Sequence, residues 1–294
     1  LISNQAFNDA GYFADPTVSN NVNEQWRYTP PGGGTASTGS SALVRLQRIL
    51  NMHVIPGRDI TSLVAPGVGL SYSGEFLKYQ NNTIVASGNG DAGTVANIVE
   101  TKTAKNGTVY YLDKLLQFSE RTIGKHIEAL GTPTTSEYNS FWLYLRNSPI
   151  YNATTGEILQ VAAGSFYSFF IPNKAAILAA VNAGYLPGTG TAPNKVPKFI
   201  TTVPAEREQI DNFLYYHILN KKNVATDGEE SGSFETIYKF SNGDPSTIFV
   251  NNTSPNNMLL NDMMNRSANV IVNQSNQLSN RCTIHLIDNY LRFK

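Results

Sequence analysis

TIHLIDNYL at residues 283–291 and TVYYLDKLL at residues 108–116 align without a gap, and this pair decides how the chain is organised. β-Branched and aromatic residues dominate both stretches, which predicts a strand in each. Both strands end at an aspartate in the same position, Asp113 in the first copy and Asp288 in the second. The turn pair Asn106-Gly107 precedes the first copy, whereas Arg281-Cys282 precedes the second, so we expect differently built turns. Matched stretches of this kind indicate that one structural unit occurs twice.

Two further segments repeat in the same order and at nearly constant spacing. One is an amphipathic pattern in which apolar residues at i, i+3 and i+4 lead to a histidine at i+7, which predicts a helix closed by that histidine. The other, weaker match joins ISNQA at residues 2–6 to IPNKA at residues 171–175. The helical pattern consists of Leu46, Ile49, Leu50 and His53 in the first copy, and of Ile210, Phe213, Leu214 and His217 in the second.

The order of elements predicts an α+β fold. Each copy runs through helices, a strand, more helices and then a series of strands that ends on the aspartate, which differs from the alternation of a parallel α/β sheet. Between the copies, residues 118–131 predict a helix with Ser119 as a possible cap. A further helical stripe follows at Tyr138, Phe141, Trp142 and Leu145. We therefore predict two domains, residues 1–118 and residues 119–294.

Composition excludes several classes of protein. The chain has 294 residues, of which 41% are apolar and 15% charged, and its 22 Lys+Arg balance 22 Asp+Glu. A neutral chain without a basic half lacks the charge that nucleic-acid binding needs. No apolar run is long enough to span a bilayer, and the single Cys282 forms no internal disulfide. One cysteine and abundant asparagine favour a bacterial envelope or surface protein.

These motifs resemble those of the fasciclin-like (FAS1) family of extracellular adhesion domains. Its members carry a strand ending near Phe-x-Pro-Thr-Asn-x-Ala-Phe, a Tyr-His pair at a helix end, and a last strand Asn-Gly-x-Val-His-x-Ile-Asp-x-x-Leu. The resemblance implies two tandem domains, each a twisted β-wedge or sandwich packed with helices. The residues that carry it are Asn4, His53, Asn106, Gly107, Asp113, Pro172, Asn173, Tyr216, His217, His285 and Asp288.

The chain departs from the family pattern at three points. The first copy begins inside its opening motif, so its leading helices and first strand lie outside this sequence or were never present. Met52 takes the place of the tyrosine in the first Tyr-His pair. Residues 101–103, Thr-Lys-Thr, stand where some animal members carry an Asp-Ile motif linked to integrin adhesion. Integrin binding is therefore not carried over.

The histidines are weighed as structural groups and as ligand contacts. His53 and His217 lie on apolar helical stripes, where a buried imidazole hydrogen-bonded to backbone is the favoured interpretation and contact with a ligand is the alternative. His285 lies in a strand and has Tyr110 as its counterpart, so a group that titrates near neutral pH is not required there. Catalysis by His285 is therefore disfavoured.

The aspartates and the loop acids are weighed in the same way. Asp113 and Asp288 are interpreted as acceptors of backbone N–H groups, since the duplication separates the two carboxylates that acid–base catalysis would need together. A loop cluster around Asp227 lacks the spacing of known calcium loops, so solvated acids are preferred to a metal site there. We predict no catalytic residue, no cofactor and no metal.

The function expected from the resemblance is non-catalytic adhesion or partner binding at a cell surface. Two platforms displaying loops such as residues 28–41, which include Gly32-Gly33-Gly34, and 186–196 would suit a protein or glycan ligand. The alternatives are a glycan-binding accessory protein of a surface polysaccharide-uptake system, an architectural spacer in a longer surface chain, and an enzyme of unknown type. The expected location is extracytoplasmic, as a secreted protein or an outer-membrane lipoprotein whose lipid anchor precedes Leu1.

Overall fold

The chain folds into two units. The computed structural model describes residues 3–31, 33 and 35–294, so Ile2 of the opening motif and Gly32 and Gly34 of the glycine loop lie outside the described residues. Unit 1 is Leu1–Ser119 and unit 2 is Glu120–Lys294, whereas the predicted cut lies between residues 118 and 119. Both units combine helices with antiparallel or mixed sheets, and the predicted α+β class is confirmed.

Unit 1 is built on one long helix and a five-stranded antiparallel sheet of order β4-β5-β6-β7-β8. A smaller sheet, β1-β2-β3, lies nearer the start of the chain. The elements are α1 Asn4–Asp9, β1 Tyr12–Ala14, β2 Trp26–Tyr28, β3 Ser37–Thr38, α2 Ser40–Met52, β4 Gly67–Leu70, β5 Phe76–Gln80, β6 Thr83–Val85, α3 Ser87–Asp91, β7 Ala96–Ala104 and β8 Gly107–Leu112.

Helix α2 supplies the core of unit 1. Its buried positions are Ala42, Leu46, Ile49 and Met52, which pack in one apolar cluster with side chains from the sheet and from residues 115–118. Leu50, which the periodicity placed on this stripe, is wrongly predicted, because it is 46% exposed. The spacing from Leu46 through Ile49 to Met52 is i, i+3 and i+6, so Met52 and not Leu50 completes the buried face.

Unit 2 is built on an eight-stranded sheet of order β16-β15-β14-β13-β12-β9-β18-β17 with helices packed against it. Strands β10 and β11 form a separate hairpin. The elements are α4 Ile123–Gly131, α5 Asn139–Asn147, β9 Tyr167–Pro172, α6 Lys174–Asn182, β10 Gly188–Thr189, β11 Val196–Pro197, α7 Pro204–Tyr216, β12 Ile218–Asn220, β13 Gly232–Lys239, β14 Pro245–Ser254, β15 Asn257–Asn261, β16 Ser267–Asn269, β17 Gln277–Ser279 and β18 Cys282–Ile287.

The helices of unit 2 follow from local signals with one exception. Proline at the first position of α7 and Asn173 at the cap of α6 mark the two starts. The helix expected from residue 118 begins only at Ile123, so the prediction of Ser119 as its cap is wrong. The Ser119 amide instead donates to Ser87 Oγ at 2.9 Å, inside unit 1.

The sheet of unit 2 curves until its two ends approach each other. Val270, just after β16, forms an antiparallel bridge to Ile287 of β18, although β16 and β18 are far apart in the strand order. β9 lies in the middle of this wedge and all six of its residues are buried. Phe169 and Ile171 face the cluster under the helices and Phe170 faces a second cluster among the strands. A strand covered on both faces needs such a continuous apolar run.

Among the described residues, no helix combines the length and the apolar character needed to cross a membrane.

Candidate functional site

The two motif histidines occupy the same position in their units and make the same contacts. Each is the C-cap residue that directly follows its long helix, α2 for His53 and α7 for His217. His53 Nδ1 lies 2.7 Å from the carbonyl of Ile49, and His217 Nδ1 lies 2.7 Å from that of Phe213. On the other side of each ring, Nε2 lies 3.1 Å from a backbone amide, that of Leu116 or Leu291. Each histidine therefore ties a helix end to the chain that follows the last strand.

These contacts fix one protonation state. A carbonyl oxygen can only accept, so Nδ1 donates, and an amide can only donate, so Nε2 accepts. Only the neutral imidazole with its proton on Nδ1 satisfies both bonds. Burial lowers the pKa of His53 and of His217 to about 4, although the bond to the helix carbonyl acts in the opposite direction. Neither ring is free to take up a proton from a substrate at neutral pH.

The motif aspartates form a second repeated junction, with an asparagine as the partner. Asp113 Oδ1 accepts the backbone N–H of Asn97 and Oδ2 accepts its side-chain amide, both at 2.7 Å. Asp288 makes the same two bonds to Asn269, at 2.7 and 2.8 Å. Burial raises the pKa of Asp113, but the bonds from Asn97 outweigh this effect and the pKa lies below its ordinary value. Each carboxylate fastens the end of the last strand to an earlier strand.

A third junction joins the last strand to the loop after the long helix. His285 Nε2 lies 2.9 Å from the carbonyl of Val224, and Tyr110 Oη lies 2.5 Å from that of Ile60. Val224 and Ile60 are 164 residues apart, as are His217 and His53 (224 − 60 and 217 − 53). The two different rings therefore make one equivalent hydrogen bond. Burial lowers the pKa of His285 to about 4.

The opening motif shifts by one residue between the copies. In unit 2, Asn173 caps α6 by accepting the amide of Ala176 at 2.8 Å. In unit 1 the cap is Ser3, which accepts the amide of Ala6, so Asn4 is the first helical residue and not the equivalent of Asn173. The matching of Asn4 with Asn173 is therefore corrected to Ser3. Pro172 ends β9 beside Ile287 of β18.

The remaining motif residues complete turns and packing. Tyr216 is fully buried, its hydroxyl donates to the carbonyl of Thr247 at 2.9 Å, and burial raises its pKa. Met52, which stands in its place in unit 1, is also fully buried. Asn106 belongs to the two-residue loop between β7 and β8, and Gly107 is the first residue of β8.

Within the described residues no group of three or more His, Cys, Asp or Glu side chains could hold a metal ion. The expectation that Asp227 is a solvated acid is wrong. Asp227 is buried, and its carboxylate accepts the amide of Glu229 at 3.1 Å and that of the Asn252 side chain at 3.2 Å. Burial also raises the pKa of the Cys282 thiol well above its usual value, which leaves it unreactive.

An open groove lies on each unit. The groove of unit 1 has a volume of about 630 Å³ and lies between residues 53–63 and strand β8. The groove of unit 2 has a volume of about 860 Å³ and lies between the start of α4 and the loop of residues 156–165. Its apolar lining includes Ile123, Pro149, Ile150, Ile158, Val161 and Ala163. Neither groove brings the motif carboxylates and histidines together as a reactive set.

In each repeated junction the sequence indicated the motif side chain but not the group to which it is hydrogen-bonded. Asn97 and Asn269 occupy equivalent places before the last strand, and their identity in both copies was the available signal. Ile60 and Val224 contribute only backbone carbonyls, which no side-chain pattern reveals.

Residues 151–293 match the family model of the fasciclin domain. No curated protein matches the chain. Among solved structures, the chain is similar to one described as a FAS1 domain pair from the insect cell adhesion molecule Fasciclin I, at 14% identity and a TM-score of 0.36, with 99% of this chain and 86% of that chain covered.

Proposed function

We propose that this chain is a tandem of fasciclin-like units and a non-catalytic adhesion or partner-binding protein outside the cytoplasm. In support, the second unit matches the family model, and the first unit repeats its hydrogen-bonded junctions. Fasciclin domains occur in adhesion proteins, which supports this assignment. The chain is neutral overall, so a protein or glycan surface suits it better than nucleic acid. The location at a cell surface, with or without a lipid anchor, is part of the same proposal.

One observation supports a non-catalytic role. The motif side chains that are able to perform acid–base chemistry are hydrogen-bonded to backbone or side-chain groups of their own unit, in both copies. His217 has both ring nitrogens engaged, Asp288 has both carboxylate oxygens engaged, and Cys282 is buried. A catalytic group needs a free lone pair or proton directed at a substrate. In this chain the hydrogen bonds of His217 and Asp288 hold the last strand in place instead.

An adhesion assay tests the proposal. Beads coated with the chain are applied to cells of the source organism and to extracellular matrix, beside beads coated with an unrelated neutral protein of equal size. We expect retention of the coated beads well above the control. Antibody labelling of intact cells should detect the protein, and protease treatment of those cells should remove the signal. Retention at control level on every surface, or labelling only after cell lysis, contradicts the proposal.

A matched variant distinguishes a structural role of the two histidines from direct contact with a ligand. His53→Gln/His217→Gln keeps one donor and one acceptor in each side chain but removes the imidazoles. A folded double variant should adhere as well as the parent, because neither ring faces a ligand. Loss of adhesion by a variant with unchanged circular dichroism would show that the imidazoles contact the ligand.

A further inference from the structure

One face of strands β13, β14 and β15 of unit 2 is turned to solvent. The opposite face packs into the buried cluster among the strands, where Ile248 and Val250 of β14 and Leu260 of β15 lie. Along β14, every second residue from Ser246 to Asn252 is buried, and the residues between them are exposed or half-buried. This alternation is that of a strand with one buried and one solvated side. We call the solvated side the outer face.

Phe249 lies on the outer face with polar residues on four sides. It is 46% exposed, although its two neighbours along the chain are fully buried. Across the strands it pairs with Ser233 of β13 and with Asn261 of β15. Along β14 the next outward-facing residues are Thr247 and Asn251. Paired residues lie about 5 Å apart and residues i and i+2 about 7 Å apart, so the phenyl ring is the centre of a small polar surface.

The polar side chains around the ring can bond to a ligand. In the part of the chain that the structure describes, the side chains of Thr247 and Asn251 make no hydrogen bond. Asn261 donates its side-chain N–H to Ser267 Oγ at 2.8 Å, which leaves Asn261 Oδ1 as an acceptor and the Ser267 hydroxyl as a donor. Donors and acceptors therefore both surround the phenyl ring.

The surface around the phenyl ring carries little charge. Glu235, opposite Thr247, is the only charged residue in the segments 233–235, 247–251 and 259–261. Proteins hold phosphate, sulfate and carboxylate groups with arginine or lysine, and these segments contain neither. The core of a protein interface is a larger apolar patch, whereas amides and hydroxyls surround this single ring. The partner that matches is neutral, with an apolar centre and a polar rim.

We propose that the outer face of unit 2 binds a neutral glycan, with one sugar ring packed against Phe249. A pyranose has an apolar face of C–H groups and a rim of hydroxyl groups. Its apolar face contacts the phenyl ring, and its hydroxyls exchange hydrogen bonds with Thr247, Asn251 and Asn261. Because the outer face is open and small molecules prefer concave sites, it suits the side of a polysaccharide chain better than a free monosaccharide. This inference rests on the proposed binding function and gives it a site and a class of partner.

Affinity gel electrophoresis tests the binding. The whole chain migrates through native gels that contain laminarin, xylan, galactomannan or dextran as neutral polysaccharides, and through a gel that contains polygalacturonate as an acidic one. We expect retardation, relative to the gel without polysaccharide, in at least one of the neutral gels and none in the acidic gel. No retardation in any of the four neutral gels, or retardation by polygalacturonate alone, would overturn the proposal.

Two phenylalanine variants locate the site. Phe249→Ala removes the ring from the outer face, and Phe13→Ala removes a ring of equal exposure, 45%, from β1 of unit 1. The affinity, taken from mobility at several polysaccharide concentrations, should fall about tenfold in Phe249→Ala and stay unchanged in Phe13→Ala. Phe249→Tyr keeps an aromatic ring and should bind as the parent does. Equal melting temperatures show that the variants fold, and equal affinities of the two alanine variants would contradict the proposed site.

Asn251→Ala tests the polar rim independently of the ring. Loss of one hydrogen bond to a sugar hydroxyl should weaken binding by about fivefold. The control is Asn20→Ala, which removes an exposed amide from unit 1 and should leave the affinity unchanged. An unchanged affinity in folded Asn251→Ala would overturn the placement of the sugar ring over β14.

Bead adhesion distinguishes a glycan from a protein partner, and the site from the function. Periodate, which cleaves the vicinal diols of sugars, is applied to the adhesive surface before the beads. We expect the treated surface to lose bead retention, as Phe249→Ala beads do on the untreated surface. Retention that survives periodate but is lost in Phe249→Ala would assign the outer face to a protein partner and overturn the proposal. Retention that persists in Phe249→Ala would refute only the outer face as the adhesive site, and polysaccharide binding without bead adhesion would refute only the proposed function.

Discussion

Acidification from pH 7.5 to pH 5.0 should destabilise unit 2 through His217 and His285, whose pKa in the folded chain lies at about 4. In the unfolded chain a histidine has a pKa of about 6.5. The folded pKa is the lower one, so between these values the unfolded state binds more protons and stability falls as the pH falls. The contribution of the two neutral histidines to the free energy of unfolding is complete above about pH 6.5 and is lost as the pH falls to about 4.

The size of the effect follows from the two pKa values. At pH 5.0 a group with these values has lost about 2 kcal/mol of its contribution to the free energy of unfolding, and two such groups about 4 kcal/mol. His285→Gln provides the matched control. It can keep a donor toward the carbonyl of Val224 but does not titrate, so its loss over the same pH range should be only about 2 kcal/mol.

Urea unfolding measured at both pH values checks the difference. The chain has two tryptophans, and Trp142 is buried in unit 2. In a Trp26→Phe background the fluorescence of Trp142 therefore reports unit 2. Carboxylates that titrate in this range do so in parent and variant alike and cancel. Equal losses in the parent and in His285→Gln would refute a histidine held neutral by burial at position 285, and stability that increases toward pH 5.0 would refute the sign.

Three further variants test the packing of unit 2 and the turn of unit 1. Asp288→Ala removes both bonds to Asn269 and should lower the free energy of unfolding, measured by urea titration, by about 1–2 kcal/mol. An unchanged free energy of unfolding would show that this junction does not contribute to stability. Gly131→Ala places a Cβ against Cβ of Trp142 and should lower the free energy of unfolding by about 1–3 kcal/mol. Gly107→Ala is the control, because its added Cβ meets nothing within 4 Å, and it should change the free energy of unfolding by less than about 0.5 kcal/mol. Equal melting temperatures for the two glycine variants would contradict the packing described for α4 and α5.

Helix α7 and strand β18 were predictable because each carries its own signal. A proline start and an apolar stripe define the helix, and a run rich in β-branched and aromatic residues defines the strand. Ser119 shows the opposite case. Its cap-like character is local, but its amide and hydroxyl are taken by unit 1, so the helix that it was expected to start begins at Ile123 instead.

The site residues were located from the sequence, but their partners were not. His217 stood out as the last residue of an apolar stripe, whereas the amide that it accepts, at Leu291, lies 74 residues further along the chain. Asp227 was misjudged for the same reason, because its burial depends on Asn252 in a neighbouring strand. A side-chain pattern indicates which groups are able to bond and leaves open which backbone group is nearby.

The sequence by itself determined that one α+β unit occurs twice, since matched apolar periodicity and matched aspartates are properties of the chain alone. The tertiary structure decided that Tyr110 and His285 make one equivalent bond, and that Asn97 and Asn269 are the partners of the two aspartates. Those facts depend on which segments lie side by side, and strand pairing between distant segments is fixed by the packing of the whole unit and not by either segment.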